Sequence, residues 1–463
     1  MLMKTLTLKP WEYLELKECF QGGFTHANAH RVNLIHQKVG SYDFTSSYPA
    51  CMVAFEFPMG KGVPVGEIGM DALFELCKTN CCMFRLAFTN LVPLNNIEHP
   101  ISISKCRKAE EAHVDNGRVI TAKYLETTCT EQDLKTYLYF YDFESIRIFD
   151  CVAYPKGYLP TPFVKTILKL YKDKTVLKGI KGEELNYLLS KEMLNSAYGM
   201  TVTDIVREAL EYDKDDITGC KSNYDDEDFD EIDFLTEQIS RYNANPYRFL
   251  FYAWGVWVTA YARANLFSGI RAAGRDYIYS DTDSIKITHP ELHADYINSY
   301  NNEITERLRL ACEFHGIDFD ETRPKNSKGE EKPLGVWEFE GIYDEFKTLG
   351  AKRYLWRKGE DWQLTAAGVN KTMGMKYLLK RAEELNCSPF DLFSLNLVIP
   401  KEYSGRLVLT YIDEPVKGSI TDYLGNPYSF EEKSSIHMGA TEYSFNPVDE
   451  FIKYLFEIRE EQW

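Results

Sequence analysis

Apolar positions along the chain change from a strand-like to a helix-like spacing. From Gly60 to about Asp150, short β-like runs alternate with glycine, proline and asparagine, which predicts an inserted, mostly β-rich subdomain. From 162 to 200 the apolar residues recur at helical spacing, which predicts two helices separated by residues 178–182. A long aromatic helix is expected from about Pro246 to Ala273. The pattern is that of a mixed α+β protein.

The composition is that of a globular protein of a reducing environment. The 463 residues are too many for one ordinary core, so about two to four domains or subdomains are expected. Hydrophobic content of 44% and aromatic content of 14% exclude a disordered chain. No apolar run approaches the ~18 residues of a membrane span, and the eleven cysteines lack paired metal-binding spacing. We therefore expect a protein of a reducing compartment without a membrane partner.

The formal net charge of -17 is unevenly distributed. Residues 211–237 contain twelve acidic and two basic residues, which predicts a solvated insertion or flexible loop. Residues 347–381 contain nine basic and two acidic residues. Such a basic segment on an acidic protein is compatible with a nucleic-acid contact, because affinity depends on local phosphate contacts more than on net charge. The alternative is a solvated surface.

The segment Tyr279–Ser284, with the sequence Tyr-Ser-Asp-Thr-Asp-Ser, is the most informative part of the chain. It places two carboxylates, Asp281 and Asp283, two residues apart within an apolar, alternating run. On an extended strand both would share one face, whereas a turn would present both at its tip. Like charges held close are costly unless a cation lies between them. Oxygen ligands of this kind suit Mg²⁺ or Mn²⁺ together with substrate phosphates, and the simpler alternative is a polar β-turn.

Three further segments carry side chains suited to nucleotides and phosphates. In Asp43–Pro49 an aspartate at a strand end precedes a small polar turn and a helix start, so a carboxylate and turn amides can face a cation and a phosphate. In Lys191–Gly199 a lysine, an amide and an aromatic ring lie at i, i+4 and i+7 on one helix face. In Lys352–Tyr354 a cation and a phenol share one face of a strand. Each segment alone also fits an Asx turn, an amphipathic helix or a basic edge strand.

Together these segments resemble the motifs of the family-B DNA polymerases, most closely those of the protein-primed bacteriophage branch. The matching elements are D-x-x-S-x-Y-P at Asp43–Pro49, K-x-x-x-N-S-x-Y-G at Lys191–Gly199, Y-x-D-T-D-S at Tyr279–Ser284 and K-x-Y at Lys352–Tyr354. Two weaker similarities are Phe20–Phe24, with Phe in place of Tyr in a Y-x-G-G linker motif, and Leu334–Glu340, before the K-x-Y strand. The resemblance covers roughly residues 18–360.

This resemblance implies an α+β fold of the right-hand polymerase type, with palm, fingers, thumb, an antiparallel palm sheet and inserted subdomains. The segments expected are a linker and first palm segment at 1–58, an inserted β-rich subdomain at 59–155, fingers helices at 156–204, an acidic insertion at 205–245, the palm at 246–360, and the thumb and C-terminal region at 361–463.

The resemblance also implies the residues of an active site. Asp43, Asp281 and Asp283 would be catalytic. Asp43 and Asp283 would bind two Mg²⁺ or Mn²⁺ ions with the help of the Phe44 carbonyl, and Asp281 would have a less direct role. Two such metals stabilise the attacking 3′-oxygen and the leaving pyrophosphate. Phosphoryl transfer requires charge neutralisation and alignment more than covalent chemistry from the protein.

The residues implied to bind the incoming nucleotide are Ser46, Ser47, Tyr48, Lys191, Asn195 and Tyr198. Lys191 would neutralise the triphosphate, Tyr48 would lie under the sugar and exclude a 2′-hydroxyl, and Tyr198 would help to form the pocket. A second phosphate-binding lysine is expected upstream, and Lys178 and Lys181 are both candidates.

The residues implied to bind DNA lie in two segments. Gly22 and Gly23 would contact the template strand, and Lys352 and Tyr354 would hold the primer terminus.

One departure from the family concerns proofreading. Family members usually carry a 3′→5′ exonuclease domain ahead of the Gly-Gly linker, and only about twenty residues precede Gly22 here, too few for a domain. Asp142-Phe143-Glu144 imitates the exonuclease D-x-E signature but falls between the first two polymerase elements, so we expect it to be a strand end without metal.

The function implied is that of a DNA-templated DNA polymerase, phage replicative and without its own exonuclease. It would add deoxynucleotides to a primer 3′ end. The candidate partners are primer-template DNA, deoxynucleoside triphosphates, a terminal protein primer and a separate exonuclease subunit. The alternatives are a non-catalytic primer- or partner-binding replication subunit and a two-metal nuclease. The nuclease would need neither Lys191–Gly199 nor Lys352–Tyr354.

Overall fold

The computed structural model describes residues 2–207, 210–212, 220–222, 230–412, 416–421, 424–432 and 435–445. Its helices are α1 (Pro10–Cys19), α2 (Ser47–Ala54), α3 (Met70–Leu76), α4 (Glu131–Phe140), α5 (Thr161–Leu177), α6 (Glu184–Gly199), α7 (Glu231–Ala244), α8 (Tyr252–Ala273), α9 (Ala294–His315), α10 (Lys371–Leu385), α11 (Pro389–Leu392) and α12 (Lys401–Ser404).

The strands are β1 (Thr25–Ala27), β2 (His36–Phe44), β3 (Phe57–Pro58), β4 (Val63–Gly66), β5 (Asn80–Pro93), β6 (Cys106–Glu110), β7 (His113–Asp115), β8 (Arg118–Thr130), β9 (Tyr141–Asp142), β10 (Ser145–Gly157), β11 (Leu210–Tyr212), β12 (Cys220–Ser222), β13 (Tyr277–Asp281), β14 (Ser284–Ile287), β15 (Trp337–Gly350), β16 (Arg353–Lys358), β17 (Asp361–Ala366), β18 (Val398–Ile399), β19 (Arg406–Ile412), β20 (Val416–Thr421), β21 (Pro427–Glu432), β22 (Ser435–Thr441) and β23 (Tyr443–Ser444).

The central sheet is antiparallel and has the strand order β1-β13-β14-β2-β15-β16-β17. Along β2 the two-residue period of a strand separates two kinds of side chain. Tyr42 and Phe44 join the core between the sheet and α8, while Val39 packs on the opposite face. Ser41 and Asp43 have the parity of Val39 and therefore lie on that second face. One face of the sheet is thus packed on a helix, and the other carries the polar residues of interest.

Helix α8 covers the back of this sheet and is buried along most of its length. The indole N–H groups of Trp254 and Trp257 donate to the Pro58 carbonyl at 2.8 Å and to the Glu131 carboxylate at 3.0 Å. The aromatic helix predicted for this region is confirmed, but it begins at Tyr252 and not near Pro246. Residues 246–251 are not helical; Pro246 and Tyr247 form a turn, and the Asn245 side chain accepts from the Tyr247 N–H.

A second antiparallel sheet, with the order β3-β10-β5-β8-β6, lies in the region predicted to be β-rich. Its three longest strands, β5, β8 and β10, exceed the short runs visible in the sequence, because β5 pairs with both neighbours over most of its length. Asp142 and Glu144 lie at the exposed edge of this sheet, where Asn90 contacts the Glu144 carboxylate.

The two helices predicted between 162 and 200 are confirmed as α5 and α6, which pack against each other. The turn between them contains Gly179 and Gly182, both with positive φ. The apolar positions Leu185, Leu188 and Met193 predict a helix correctly but are exposed on it.

Most of the acidic segment 211–237 lies outside the described residues, except for parts of β11, β12 and α7. Within the described part of the chain, no helix has the length and apolar character needed to cross a membrane.

Close packing around α8 generates a test of this fold. A Cβ on Gly255 would overlap the side chains of Thr201 and Val202, whereas a Cβ on Gly199 would meet nothing within 4 Å. We expect Gly255→Ala to lower the free energy of unfolding by about 1–3 kcal/mol. The matched substitution Gly199→Ala, at a helical φ of -54°, should raise it by about 0.4–1 kcal/mol. Denaturant titration of the three proteins measures both, and equal effects would contradict the packing around α8.

Candidate active site

Backbone pairing brings the three aspartates of the two acidic motifs together. Asp43 at the end of β2 is the register partner of Ser284 on β14, and the Phe44 N–H donates to the Asp283 carbonyl at 2.8 Å. Between β13 and β14 the chain turns at Thr282, which has a φ of +59°. The Asp283 N–H donates back to the Asp281 carbonyl at 2.6 Å. Of the two geometries open from the sequence, the structure has the turn.

Asp43 and Asp283 lie in a site that lacks enough positive charge to balance their carboxylates. Burial and the nearby Asp283 and Glu340 carboxylates raise the pKa of Asp43 to about 8. Burial and the neighbouring Asp281 raise the pKa of Asp283 to about 6. Lys286 and Lys174 act in the opposite direction on both. The energetic cost of deprotonating these groups is the cost that a bound cation would remove.

The donor set consists of the carboxylate oxygens of Asp43 and Asp283, and such oxygens are the ligands that hard divalent cations prefer. Phe44 lines the same cleft as Asp43. In the described part of the chain, no three His, Cys, Asp or Glu side chains are arranged to hold a metal by themselves. A metal bound by Asp43 and Asp283 would therefore need further oxygen ligands, and phosphates supply them in many Mg²⁺ sites.

The Asp281 carboxylate has several partners within the protein. Its Oδ1 accepts from the Thr25 hydroxyl at 2.7 Å and from the Thr282 hydroxyl at 3.2 Å. The Lys352 ammonium lies 3.7 Å from the same oxygen. The carboxylate is therefore directed toward β1 and the β15–β16 turn, which agrees with the less direct role expected for it.

A buried polar chain, which the sequence interpretation missed, lies next to Asp43. The Lys286 ammonium, 6% exposed, donates to the Ser41 hydroxyl at 2.6 Å, and that hydroxyl donates to Glu340 at 2.6 Å. Glu338, the register partner of Asp43, binds Lys332. The sequence does contain two alternating acidic residues, Glu338 and Glu340, which could have indicated this polar chain. Only strand pairing places them beside Asp43.

A cleft extends from Asp43 toward α5 and carries cations on its far side. Its lining residues include Asp43, Phe44, Ser46, Tyr171, Lys174, Lys178, Asn326, Lys328, Lys332 and Glu340. Lys178 is one of the two lysines proposed from the sequence, whereas Lys181 is exposed and does not line the cleft.

Lys174, which the sequence interpretation overlooked, lies deeper in this cleft than Lys178. Its ammonium donates to the Ser46 hydroxyl at 2.8 Å. Burial and the charges of Lys178 and Lys191 lower the pKa of Lys174. Lys174 precedes Lys178 by one helical turn, and that i, i+4 spacing was a usable signal.

The α6 residues of the nucleotide motif are divided between partly buried and exposed positions. The ring of Tyr198 lies 4.3 Å from that of Tyr48, between centroids. Lys191 is half-buried and close enough to Lys174 to affect its pKa, while Asn195 is exposed.

The polar turn before Tyr48 leads directly into α2. Ser46 adopts the left-handed conformation there, with a φ of 59°, and Ser47, the first residue of α2, is buried.

Lys352 and Tyr354 do not share a strand face as expected. Lys352 lies in the β15–β16 turn with a φ of +54°, and β16 begins only at Arg353. The Lys352 N–H donates to the Tyr279 hydroxyl at 3.1 Å, and the Tyr354 ring lies 5.1 Å from that of Tyr279. The turn, not strand alternation, places this pair beside the acidic site. Gly23, in the chain segment before β1, lies against Thr282 of the same site, whereas a Cβ on Gly22 would meet nothing within 4 Å.

The raised pKa values generate a prediction about stability. Without divalent ions, a folded-state pKa of about 8 for Asp43, against 3.8 ordinarily, means that the folded state binds the proton more tightly. Stability should therefore fall as pH rises from about 4 to about 8. We expect Asp43→Asn, with EDTA, to raise the melting temperature at about pH 8 by at least about 3 °C and to change it little at about pH 5. Mg²⁺ should stabilise the wild type more than this variant.

Thermal melts at both pH values, with and without Mg²⁺, measure these effects. Asp142→Asn, at an exposed carboxylate, is the control and should follow the wild-type profile. A lower melting temperature of Asp43→Asn at about pH 8 would contradict the charge balance described for the site.

Comparisons with known proteins agree with this fold. A family model of type B DNA polymerases, organellar and viral, matches residues 4–242. No curated protein sequence matches the chain. Similar solved structures include phi29 DNA polymerase complexed with primer-template DNA (16% identity, TM-score 0.60), with primer-template DNA and incoming nucleotides (15%, 0.61), and with single-stranded DNA (16%, 0.59). Each match covers 96% of this chain and 64% of the phi29 chain.

The likeness to these structures confirms the predicted α+β, right-hand polymerase fold, although this chain spans less than two thirds of the phi29 length. The segment boundaries expected from the sequence stay predictions. Since the family model covers just over half of the residues, the chain belongs to the organellar and viral type B DNA polymerases.

Proposed function

We propose that this protein is a DNA-templated DNA polymerase that extends a primer 3′ end with deoxynucleotides. The observation that carries the proposal is the position of Asp43, with Asp283 beside it, in a cleft that Lys174 and Lys178 also line. A reaction that brings divalent cations to a triphosphate needs an anionic centre that faces a cationic wall. The rings of Tyr48 and Tyr198, which are in contact, add an apolar surface for a sugar and a base.

We propose Mg²⁺ or Mn²⁺, two ions, as the cofactor, held by Asp43 and Asp283 with the Phe44 carbonyl. Bound there, such ions supply charge stabilisation for the attacking 3′-oxygen and the leaving pyrophosphate. The support is the pair of raised aspartate pKa values and the oxygen-only donor set. Asp281 would act indirectly, because it holds Thr25, Thr282 and Lys352 around the turn.

The protein's own side chains would bind and orient the substrates. Lys174, Lys178 and Lys191 would neutralise the triphosphate, since Lys174 hydrogen-bonds Ser46 and is flanked by the other two. Ser47 and Asn195 would complete the nucleotide pocket. Tyr48, whose ring contacts that of Tyr198, would be the residue under the sugar. Lys352 and Tyr354 would contact the primer terminus.

Primer-template DNA and deoxynucleoside triphosphates are the proposed ligands, because phi29 DNA polymerase has been solved with both. We also propose a phage or related viral role in the host cytoplasm. A terminal protein primer and a separate exonuclease subunit are the further partners to be sought, with Asp142 and Glu144 taking no part in degradation. A pull-down from the native source tests these partners.

Primer extension tests the proposed activity. With Mg²⁺ and all four deoxynucleotides, the wild type should extend a primer on a template, and Asp283→Asn should reduce the rate at least about a thousandfold, because a metal ligand contributes several kcal/mol to transition-state stabilisation. Asp142→Asn should retain wild-type extension. No extension by pure wild type favours the non-catalytic alternative, and degradation without extension favours the nuclease.

Removal of a cleft cation tests the triphosphate site. Lys174→Ala should raise KM for the incoming deoxynucleotide about tenfold to a hundredfold, since charge-assisted hydrogen bonds contribute about 1.5–3 kcal/mol. Lys169→Ala, at an exposed lysine of the same helix, is the matched control. Steady-state kinetics of single-nucleotide incorporation measure both variants. Equal KM values would remove Lys174 from the proposed triphosphate site.

A further inference from the structure

The two glycines ahead of β1 have different surroundings, although the sequence gives both the same template-binding role. A Cβ on Gly23 would lie 2.7 Å from Cγ2 and 2.9 Å from Oγ1 of Thr282, and 2.9 Å from the hydroxyl oxygen of Tyr48. A Cβ on Gly22 would meet nothing within 4 Å. Only Gly23 therefore lies in close contact with both the acidic turn and the tyrosine beside the cleft.

The backbone conformation at position 23 does not itself require glycine. Neither Gly22 nor Gly23 has a positive φ, so an L-residue could adopt either conformation without left-handed strain. What excludes a side chain at Gly23 is the space taken by its neighbours, because real Cβ contacts below 3.0 Å force an atom to move.

The turn that Gly23 contacts is itself strained. Thr282 is β-branched and has a φ of +59°, a conformation that costs such residues roughly 1–2 kcal/mol. It is held by the carbonyl of Phe24, which accepts from the Thr282 N–H at 2.7 Å. The backbone of Gly23 and Phe24 is thus the surface against which the turn between Asp281 and Asp283 rests.

The glycine segment cannot easily move away from this contact. The Arg263 guanidinium, 6% exposed, donates to the carbonyls of Gln21 and Gly22. It is paired with the buried Asp133 carboxylate at 2.7 Å. Moving the segment would break buried, charge-assisted hydrogen bonds, so a side chain at position 23 must displace Thr282 or Tyr48 instead.

Tyr48 is confined from another direction by the ring of Tyr198, whose centroid lies 4.3 Å away. We propose that Gly23 is a positioning residue for sugar selection: its lack of a side chain sets the place of the Tyr48 hydroxyl and of the Thr282 turn. This inference rests on the proposed polymerase function and on the sugar-selecting role proposed for Tyr48. Gly22 has no such part, because nothing lies in the direction of its missing side chain.

The test is the ratio of kcat/KM for a deoxynucleotide to that for the matching ribonucleotide, measured on one primer-template so that effects on DNA binding cancel. Tyr48→Ala defines the full loss of discrimination. Gly23→Ala should lower the ratio about tenfold, since an ångström-scale misplacement costs up to about a hundredfold. Gly22→Ala should keep the wild-type ratio. A wild-type ratio in Gly23→Ala, or an equal fall in Gly22→Ala, would overturn the inference.

Thr282→Ala separates the two contacts of Gly23, because it removes Cγ2 and Oγ1 and leaves the Tyr48 hydroxyl. In the double variant Gly23→Ala/Thr282→Ala, deoxynucleotide kcat should recover toward that of Thr282→Ala, whereas the sugar ratio should stay low. The double variant also replaces Gly23→Ala if the single variant does not fold, with the same expected ratio. A restored ratio would show that Thr282 alone responds. Failure of the wild type to extend primers would instead count against the proposed function.

Discussion

Repulsion between two partly buried carboxylates, Asp43 and Asp283, is the constraint on which the surrounding site depends. Pairing of β2 with β14 holds them together, and burial makes their charges costly. Two lysines reduce that cost: Lys286 from within the sheet and Lys174 from α5. Since Glu340 adds a further negative charge, the balance is incomplete in the protein alone. A site with this deficit attracts divalent cations, and in the proposed reaction it would be completed by metal and triphosphate together.

Strained backbone accompanies this charge. Ser46, Thr282 and Lys352 all adopt positive φ, and each lies in a turn of a different motif around the acidic site. Such conformations cost free energy and persist where surrounding contacts over-determine them. Each of the three turns is held by a hydrogen bond. The Lys174 ammonium donates to the Ser46 hydroxyl, the Thr282 N–H donates to a backbone carbonyl, and the Lys352 N–H donates to the Tyr279 hydroxyl. The site is therefore pre-shaped by the fold before any ligand arrives.

The inserted second sheet contributes to this arrangement although it carries no acidic-site residue. Its helix α4 supplies Asp133, which binds Arg263 of α8, and Arg263 holds the glycine segment against the turn at Thr282. A chain of buried polar contacts thus runs from the insertion to the acidic site. Because buried charge pairs are costly to break on one side only, this chain gives the second sheet a structural part in the site.

The sequence by itself determined the elements and motifs that depend on local pattern. Helical periodicity located α5, α6 and most of α8, and motif spacing identified Asp43, Asp283, Tyr48 and Lys191. It could not choose between Lys178 and Lys181, and it missed Lys174, Lys286 and Glu340. Lys174, Lys286 and Glu340 form hydrogen bonds with residues 128, 245 and 299 positions away along the chain. Strand register and helix packing decide such neighbours. Likewise, only the tertiary structure distinguished Gly23 from Gly22, because the difference lies in which atoms occupy the space beside each glycine, and no local pattern records that space.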